Sequence, residues 1–304
     1  MTAFAIIGAG RLGTSLASVL TRRGWILKAI ADRDASSARE SRKIVGRGTA
    51  TMDILRAGRE ARVLFICVPD DAVAGVVRKL ARPEMDWSGK VVFHTSGLLA
   101  AAVLDPLKKR GASIASLHPV RSFPRKKNTR RPFRGIFWGV EGDKEAVAAA
   151  RRMVRTTGGH TFHIGEKDKP LYHAACSLAS NAFVSLEGAA TTLLQTLGFG
   201  PRQARSILLP LVQGTLQNVK DFGVEAALTG PISRGDARTV RKHLEALKPY
   251  PLERQVYKAL AIQALEKMAK KKLTAGKVRA LKRLLGGKLP PLRAGSRMSS
   301  GRVL

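Results

Sequence analysis

The feature that most constrains the fold is a glycine pattern at the N-terminus, placed between an apolar run and an amphipathic stretch. The run Ala3 to Ile7 leads into Gly8-Ala9-Gly10-Arg11-Leu12-Gly13, which has the form G-x-G-x-x-G, and residues 11–23 then follow a helical period. In such a strand–turn–helix unit the first glycine permits a tight turn, the second lets the backbone approach a pyrophosphate, and the third allows close helix packing. A glycine-rich loop of any α/β protein is the simpler alternative, but this setting predicts a dinucleotide site formed by residues 8–13.

Two kinds of hydrophobic pattern divide the chain near residue 165. Up to that point short apolar runs alternate with helix-period segments, which predicts a doubly wound parallel sheet. The predicted strands are 3–7, 26–31, 62–68, 90–94, 113–117, 135–140 and 161–164, with helical stretches that include 71–80, 98–109 and 144–156. After Gly165 only helical periods follow, at 167–197, 202–220, 236–247 and 252–272. We therefore predict a Rossmann-like dinucleotide-binding domain over 1–165, a helical domain over 166–272 and a basic, flexible tail over 273–304.

The chain of 304 residues carries a formal net charge of +32, which is high for a metabolic enzyme. Two segments without acidic residues hold much of it, since 121–134 contains seven Lys and Arg residues and 270–304 contains eleven. Such a tail is able to contact RNA or an anionic membrane, but a solvated extension is the more common reading of a charge run. The chain has only three Trp and three Tyr residues and lacks the aromatic signature of RNA-binding sheets, so we favour the solvated extension.

The remaining composition predicts a cytoplasmic location. The first twenty residues lack a basic n-region, and glycines interrupt their apolar run, so they do not read as a signal peptide. No apolar run reaches the ~18 residues that a membrane span needs. Cys67 and Cys176 lie in apolar stretches and are expected to be reduced thiols, and we identify no metal-binding pattern.

The residues after the second predicted strand bear on the choice of dinucleotide. Asp32 lies 19 residues after Gly13, where an acidic residue would accept the ribose hydroxyl hydrogen bonds of NAD. Arg33 follows directly and could pair with the 2′-phosphate of NADP. Asp32 could also be an ordinary turn carboxylate, so the cofactor is predicted only as NAD(P). The break at Val68-Pro69 predicts a loop that borders the same site.

Polar residues follow two further strands of the predicted sheet. These are His94-Thr95-Ser96-Gly97 and His118-Pro119. Because the carboxyl ends of parallel strands meet at one edge, we expect Thr95 to contact the cofactor and His118 to act as an acid or base near the reacting carbon. A histidine held by a backbone hydrogen bond is the equally weighted alternative. Ser96 is expected to hydrogen-bond a substrate oxygen or the nicotinamide carboxamide, or else to cap the following helix.

A polar stripe crosses the first helix of the C-terminal half. Lys169, His173, Ser177 and Ser180 share one face by the i, i+3 and i+4 rules within an otherwise apolar stretch. Because an unsatisfied buried polar group costs about 1–3 kcal/mol, such a stripe is predicted to face a cleft or water. Lys169 and His173 are thus candidate catalytic residues, and Asn181, displaced around the helix, is a candidate substrate contact.

Two arginines are candidate anion ligands. Arg121 follows the His118 strand, and Arg234 lies in Ser233-Arg234-Gly235-Asp236 between two helices. Arg234 could instead form a salt bridge with Asp236, which is suited to helix capping.

These segments together resemble an uncharacterised Rossmann-like oxidoreductase family with a helical C-terminal domain of unknown function. The resemblance covers residues 3–268 and rests on the glycine pattern, His94 to Gly97, Leu117 to Pro119, Leu171 to Ala175 and Leu228 to Asp236. The family is similar in outline to the 6-phosphogluconate dehydrogenase and pyrroline-5-carboxylate reductase groups. It implies NAD(P) binding, a helical 6-phosphogluconate-dehydrogenase-like domain that builds a homodimer, and an active site in the cleft between domains. The His118-Pro119 step is also similar to that of prephenate dehydrogenases, whereas His173 stands where hydroxyacid dehydrogenases have asparagine.

The sequence therefore predicts an NAD(P)-dependent oxidoreductase that moves a hydride between nicotinamide and a small, anionic hydroxy- or amino-substrate. Two alternatives stay open. One is a protein that binds or senses NAD(P) without turnover. The other is a nucleic-acid or anionic-surface binder that uses the basic tail.

Overall fold

The computed structural model describes residues 2–123, 133–269 and 272–286. These residues form two compact units, the first ending at Asn181 and the second beginning at Ala182. Part of the basic segment 121–134 and residues 287–304 of the predicted tail lie outside the described residues.

The first unit is built on one eight-stranded sheet. Its strands are β1 (Ala3–Ile7), β2 (Ile26–Ala31), β3 (Thr49–Thr51), β4 (Val63–Ile66), β5 (Val91–His94), β6 (Ser113–Pro119), β7 (Phe137–Gly142) and β8 (His160–His163). The order across the sheet is β3-β2-β1-β4-β5-β6-β7-β8. Neighbouring strands are parallel except β6 and β7, which pair antiparallel.

Helices connect the strands of this unit. They are α1 (Arg11–Arg22), α2 (Ala35–Val45), α3 (Ile54–Glu60), α4 (Asp70–Leu80), α5 (Asp105–Lys108), α6 (Lys144–Thr157) and α7 (Lys169–Ser177). Alternation along the strands sends side chains to two separate cores. On β1, Phe4 and Ile6 join the core that contains residues of α1 and α6, whereas Ala5 and Ile7 join the core that contains residues of α3 and α4. Both faces of the sheet are therefore buried, which explains the nearly continuous apolar runs in the sequence.

The predicted doubly wound sheet is confirmed, with three local differences. β3 contains only Thr49, Ala50 and Thr51, and a strand this short has no apolar run to reveal it. β7 runs antiparallel because it follows β6 without an intervening helix among the described residues, so the chain returns beside the strand it has just left. The helix predicted over 98–109 is reduced to a 3₁₀ turn at Ala101–Leu104 followed by α5.

The second unit is helical. Its helices are α8 (Phe183–Thr196), α9 (Pro201–Phe222), α10 (Val224–Ala227), α11 (Gly230–Arg234), α12 (Ala237–Ala246), α13 (Pro251–Ala264) and α14 (Ala275–Leu285). Its core draws on α11 to α14 and includes Ile232, Val240, Leu244 and Leu265.

Helix α14 corrects the prediction of a flexible tail from residue 273. Thr274 caps this helix, and its side chains at 281 and 285 are buried in the core of the second unit. The segment is basic, but Val278, Leu281 and Leu285 repeat at helical spacing and supply an apolar stripe. A prediction from charge alone therefore missed a helix that packs through its apolar stripe.

The first unit also extends beyond the predicted boundary at residue 165. Helix α7 belongs to it, because Lys169 and Tyr172 contact residues of the sheet. The long helix predicted over 167–197 is divided by a π-helical turn at Leu178–Ala182, where the two compact units meet along the chain.

Candidate active site

The glycine loop between β1 and α1 has the geometry of an anion site. Gly8 has φ +104°, and a Cβ there would lie 2.5 Å from the Cys67 carbonyl oxygen. A Cβ on Gly13 would lie 2.1 Å from the Gly8 carbonyl oxygen, so this position also requires glycine. By contrast, no atom of the described residues lies within 4 Å of a Cβ built on Gly10, which is exposed and begins α1 without a side-chain cap. The loop is tightly packed at Gly8 and Gly13, whereas Gly10 leaves space where a pyrophosphate would approach the helix N-terminus. These residues therefore fit a dinucleotide.

Asp32 supports this loop from the end of β2. Its Oδ2 accepts a hydrogen bond from the Ala9 N–H at 2.7 Å, and its Oδ1 accepts one from the Asp34 N–H at 3.0 Å. A carboxylate has further lone pairs to accept ribose hydroxyls. Arg33 is exposed. Asp32, which favours NAD, and Arg33, which favours NADP, are therefore both available to a bound ribose. Asp34, not Asp32, caps α2, as its hydrogen bonds from the Ser36 and Ser37 N–H groups show.

The carboxyl ends of four neighbouring strands form one edge beside this loop. The strand order reverses between β1 and β4, and such a switch point is where open α/β sheets bind ligands. From β1 the edge continues through β4 and β5 to β6, which at ~4.8 Å per strand is a span of about 14 Å. Val68-Pro69 follows β4 and α4 begins directly after Pro69, as the sequence predicts. Thr95 follows β5, and His118 lies at the end of β6.

His118 is the half-buried histidine at the far end of this edge. Its Nδ1 lies 2.6 Å from the hydroxyl oxygen of Tyr172 on α7. Burial, with smaller contributions from the charges of His173 and Lys169, lowers the pKa of His118 to about 4. Burial also raises the pKa of the Tyr172 hydroxyl well above its usual range. At neutral pH the pair is thus a neutral imidazole beside a protonated phenol.

Gly97 packs directly against the rings of His118 and His173. A Cβ on Gly97 would lie 3.0 Å from His118 Nε2 and 2.7 Å from His173 Cδ2. The rings of His118 and His173 meet edge to face with centroids 6.1 Å apart. Two imidazoles therefore converge on a backbone position that has no side chain.

Lys169 is brought to the same strands, but it is completely buried rather than facing a cleft or water. Its ammonium donates to Ser116 Oγ at 2.5 Å and to the Ser96 carbonyl oxygen at 3.4 Å, and it lies 3.9 Å from Glu141 Oε1. Burial lowers the pKa of Lys169, and burial raises the pKa of Glu141, whose Oε1 also accepts from the Ala101 N–H. The hydrogen bonds and the opposite charge satisfy an ammonium that would otherwise be costly to bury. Lys169 is thus a buried residue next to the site, and its positive charge contributes to the lowered pKa values of His94 and His118.

The residues after β5 are mostly structural. His94 is buried, its Nδ1 accepts from the Ser96 N–H, its Nε2 donates to the Ala100 carbonyl, and burial lowers its pKa to about 3. Ser96 Oγ accepts from the N–H groups of Leu98 and Leu99 and so closes a local turn, because the helix expected from Leu98 begins only at Ala101 and has no side-chain cap. Thr95 is buried, with its hydroxyl toward the Ile66 carbonyl at 3.5 Å.

The other predicted site residues are dispersed. Ser177 ends α7 and Ser180 lies in the π-helical turn, so the predicted stripe loses its α-helical spacing after Ser177. Arg121 is exposed just after β6, and Asn181 is exposed at the end of the first unit. Arg234 is exposed in the second unit, where Asp236 caps α12 through the Thr239 N–H at 3.0 Å, as predicted.

Sequence reasoning missed three members of this arrangement: Tyr172, Glu141 and Ser116. Tyr172 directly precedes the singled-out His173, but a tyrosine in a helix gives no signal of its own. Glu141 ends an apolar strand, and an acidic residue there was the one available hint of a buried partner for a lysine.

Within the described residues, no cluster of three or more His, Cys, Asp or Glu side chains is arranged to hold a metal ion. None of the helices in that part of the chain has the length and apolar character required to cross a membrane.

The fold and the glycine loop define a Rossmann-fold protein with a helical second unit. In family comparisons residues 2–119 match the Rossmann-like domain, and residues 136–264 match the domain of unknown function DUF2520. The chain thus combines a Rossmann-like domain with a DUF2520 domain, as the sequence resemblance implies. No curated protein sequence matches the chain.

Solved structures share this architecture over nearly their whole length. A provisionally assigned NADP oxidoreductase from Bacteroides fragilis is 22% identical with a TM-score of 0.75, and the match covers 88% of this chain and 98% of that one. A protein from Thermotoga maritima is 26% identical with a TM-score of 0.68, covering 88% and 99%. A pyrroline-5-carboxylate reductase from Coxiella burnetii is 18% identical with a TM-score of 0.56, covering 93% and 98%. At these identities the likeness establishes the fold.

Proposed function

We propose that the protein is an NAD(P)-dependent oxidoreductase that transfers a hydride between nicotinamide and a small hydroxy- or amino-substrate. The observation that carries this proposal is the arrangement of one sheet edge. The open Gly10 loop lies at the switch point after β1, and His118, with Tyr172 beside it, lies at the end of β6 on the same edge. Neighbours of similar fold that are described as NADP oxidoreductase and pyrroline-5-carboxylate reductase support this reading.

In this proposal each part of the edge has a separate role. The N–H groups at the start of α1 bind the pyrophosphate, Asp32 or Arg33 binds the adenosine ribose, and Val68, Pro69 and Thr95 border the cofactor. A bound nicotinamide supplies the carbon that accepts or releases hydride. His118 holds the proton or hydrogen bond at the substrate heteroatom, and His173 and Ser96 help to position the substrate. Lys169 stabilises this arrangement through its buried hydrogen bonds and its ion pair with Glu141.

Cofactor binding is tested most directly at Gly10. A Gly10→Ala variant adds a methyl group that contacts no atom in the described part of the chain, so the fold is expected to persist while the pyrophosphate is obstructed. Gly75→Ala in α4 is the matched control, because its added methyl group has only Arg78 nearby, at 3.9 Å. We expect NADH or NADPH to raise the thermal unfolding midpoint of the wild-type and Gly75→Ala proteins but not that of Gly10→Ala. Equal stabilisation of all three proteins would contradict the assigned site.

Turnover is tested by following nicotinamide absorbance with a panel of 2-oxo acids, cyclic imines and their reduced counterparts. With a substrate identified, His118→Ala is expected to lower kcat by about 10²–10⁴, the usual loss when a general acid–base group is removed. A loss smaller than about threefold would remove His118 from the chemistry. Cofactor binding without oxidation or reduction of any panel member would instead favour a binding or sensing protein.

We also propose an anionic substrate, with Arg121 and Arg234 as its candidate ligands and Asn181 as a further contact. Both arginines are exposed. Arg121 follows β6, the strand that carries His118, and Arg234 lies in the helical unit. Arg121→Ala and Arg234→Ala are expected to raise KM for a carboxylate substrate about tenfold with kcat preserved, as for loss of one charge-assisted hydrogen bond. Unchanged KM in both variants would overturn the proposal.

A homodimer formed through the helical unit is the quaternary structure that we propose. Helices α8 and α9 expose large apolar side chains, including Val184, Leu211, Leu216 and Phe222, each at 68% or 69%. Residues 182–233 carry three basic and three acidic residues, so this surface is also nearly neutral. An extensive exposed apolar surface of this kind marks a protein interface.

Light scattering after gel filtration tests the dimer. Leu211→Glu in α9 is expected to give a monomer, whereas Leu252→Glu in α13, where the leucine is 72% exposed, is expected to leave the dimer intact. A monomeric wild-type protein would refute the proposal.

Both cysteines are free thiols, which supports a proposed location in a reducing compartment such as the cytoplasm.

A further inference from the structure

The hydroxyl group of Tyr172 lies within hydrogen-bond distance of the His118 ring. It approaches Nδ1, whereas Nε2 lies on the side of Gly97, where a Cβ would come within 3.0 Å of that nitrogen. The two nitrogens therefore have different surroundings. In a neutral imidazole only one ring nitrogen carries a hydrogen. The contact between Tyr172 and Nδ1 therefore determines whether Nε2 is a hydrogen-bond donor or an acceptor toward a ligand.

The chemistry of the pair indicates that the phenol donates. The heavy atoms are 2.6 Å apart, shorter than the usual 2.7–3.2 Å range of an N–H···O hydrogen bond. A neutral imidazole nitrogen is a much stronger acceptor than a thiol, and the thiol of Cys176 is the other partner of the Tyr172 hydroxyl. Burial disfavours phenolate, so the hydroxyl keeps its proton to donate. Nδ1 is then the unprotonated nitrogen.

We propose that Tyr172 fixes His118 in the tautomer that carries its hydrogen on Nε2, so that the site presents an N–H donor to an oxygen acceptor of the substrate. The acceptor class is a carbonyl or carboxylate oxygen, and this assignment of class rests on the proposed oxidoreductase function. Tyr172 is a positioning residue here, since it acts through His118. A neutral imidazole N–H is able to stabilise an oxygen on which negative charge develops. His118 thus begins as a hydrogen-bond donor, which is the acid of the two roles that the sequence predicts.

The tautomer is measurable without a substrate or a cofactor. Long-range ¹H–¹⁵N NMR of protein labelled with ¹⁵N-histidine distinguishes protonated from unprotonated ring nitrogens, and loss of one spin system in His118→Gln assigns the signal. At pH 7 we expect Nε2 of His118 to be protonated and Nδ1 to be unprotonated. A protonated Nδ1 would overturn the proposal.

A pair of tyrosine variants tests the cause. Tyr172→Phe is expected to give a mixture of both His118 tautomers. Tyr257→Phe is the matched control, because Tyr257 makes the same kind of contact with His243 Nδ1, at 2.9 Å, in the second unit. This control should change the His243 signal and leave His118 unaltered. An unchanged His118 tautomer in folded Tyr172→Phe would refute the role of Tyr172, and if that variant does not fold, the wild-type spectrum alone decides the tautomer. Because the measurement uses the protein without cofactor, its failure is distinguishable from failure of cofactor binding.

Discussion

The two units of this chain place polar and apolar side chains in opposite ways. The sheet unit buries His94, Ser96, Ser116, Glu141 and Lys169, whereas the buried side chains of the helical unit, over its described residues, are all apolar. The helical unit in turn exposes large apolar side chains along α8 and α9. Buried polar groups require fixed partners, and fixed partners are what a reacting group needs. The difference is consistent with the proposal that the sheet unit carries the chemistry and the helical unit the dimer contact.

The largest expected difference between the units concerns glycine. Gly13→Ala is expected to destabilise the sheet unit by about 3 kcal/mol or more, because its Cβ would lie 2.1 Å from backbone that cannot move freely. Gly276→Ala in α14 meets no atom of the described residues within 4 Å and is expected to stabilise the helical unit by up to about 1 kcal/mol. Urea unfolding measures both, since all three tryptophans, Trp25, Trp87 and Trp138, report on the sheet unit and circular dichroism reports on the helices. Similar effects at both positions would remove the contrast.

Ion pairs give the second contrast. Lys169→Met leaves Glu141 buried without its cation and is expected to cost about 3 kcal/mol. The double variant Lys169→Met/Glu141→Gln is expected to recover part of this loss, because no buried charge is left unpaired. In the helical unit Lys282 pairs with Glu266 at a partly exposed position, and Lys282→Met is expected to cost less than about 1 kcal/mol. The two losses are compared by urea unfolding, and a small effect at Lys169 would show that water reaches its ammonium.

The third contrast is pH dependence. The folded state lowers the pKa of His118 to about 4, so between pH 6.5 and pH 4 the unfolded state binds more protons. The contribution of His118 to stability is complete above pH 6.5 and is lost as pH falls, by about 2 kcal/mol at pH 5. His118→Gln is expected to flatten this part of the pH profile of the unfolding free energy.

The smallest expected effect concerns the cofactor. Arg33→Ala is expected to weaken NADPH binding about tenfold with little change for NADH, because one charged hydrogen bond to a phosphate is lost, about 1.4 kcal/mol. Arg238→Ala removes the same charge from the helical unit and is expected to change neither affinity. Isothermal titration calorimetry provides the comparison. Equal weakening for both cofactors would assign Arg33 to adenine stacking instead of phosphate binding.

Much of the sheet unit is predictable from the sequence because its signals are local. Apolar runs mark β1 and β2 to the residue, and the glycines at 8 and 13 are required by contacts within a few residues or with the adjoining strand end. The capping role of Asp236 is likewise local. The tail is harder, because the high charge of α14 conceals three apolar side chains at helical spacing.

The partners of the site residues are not predictable in this way. Lys169 and Ser116 are 53 residues apart, and His118 and Tyr172 are 54 residues apart. Pairing of this kind depends on α7 returning to the ends of β5, β6 and β7. A helical stripe in the sequence shows which residues share a face but not whether that face meets solvent or a sheet.

The sequence by itself determines the dinucleotide loop, the sheet edge at which His94 and His118 end their strands, and the order of a sheet unit before a helical one. These follow from backbone sterics and hydrophobic periodicity, which act over short distances along the chain. The tertiary structure alone decides that Lys169 is a buried support, that His94 is structural, and that Tyr172 faces His118. Those outcomes depend on burial and on hydrogen-bond partners that only folding brings together.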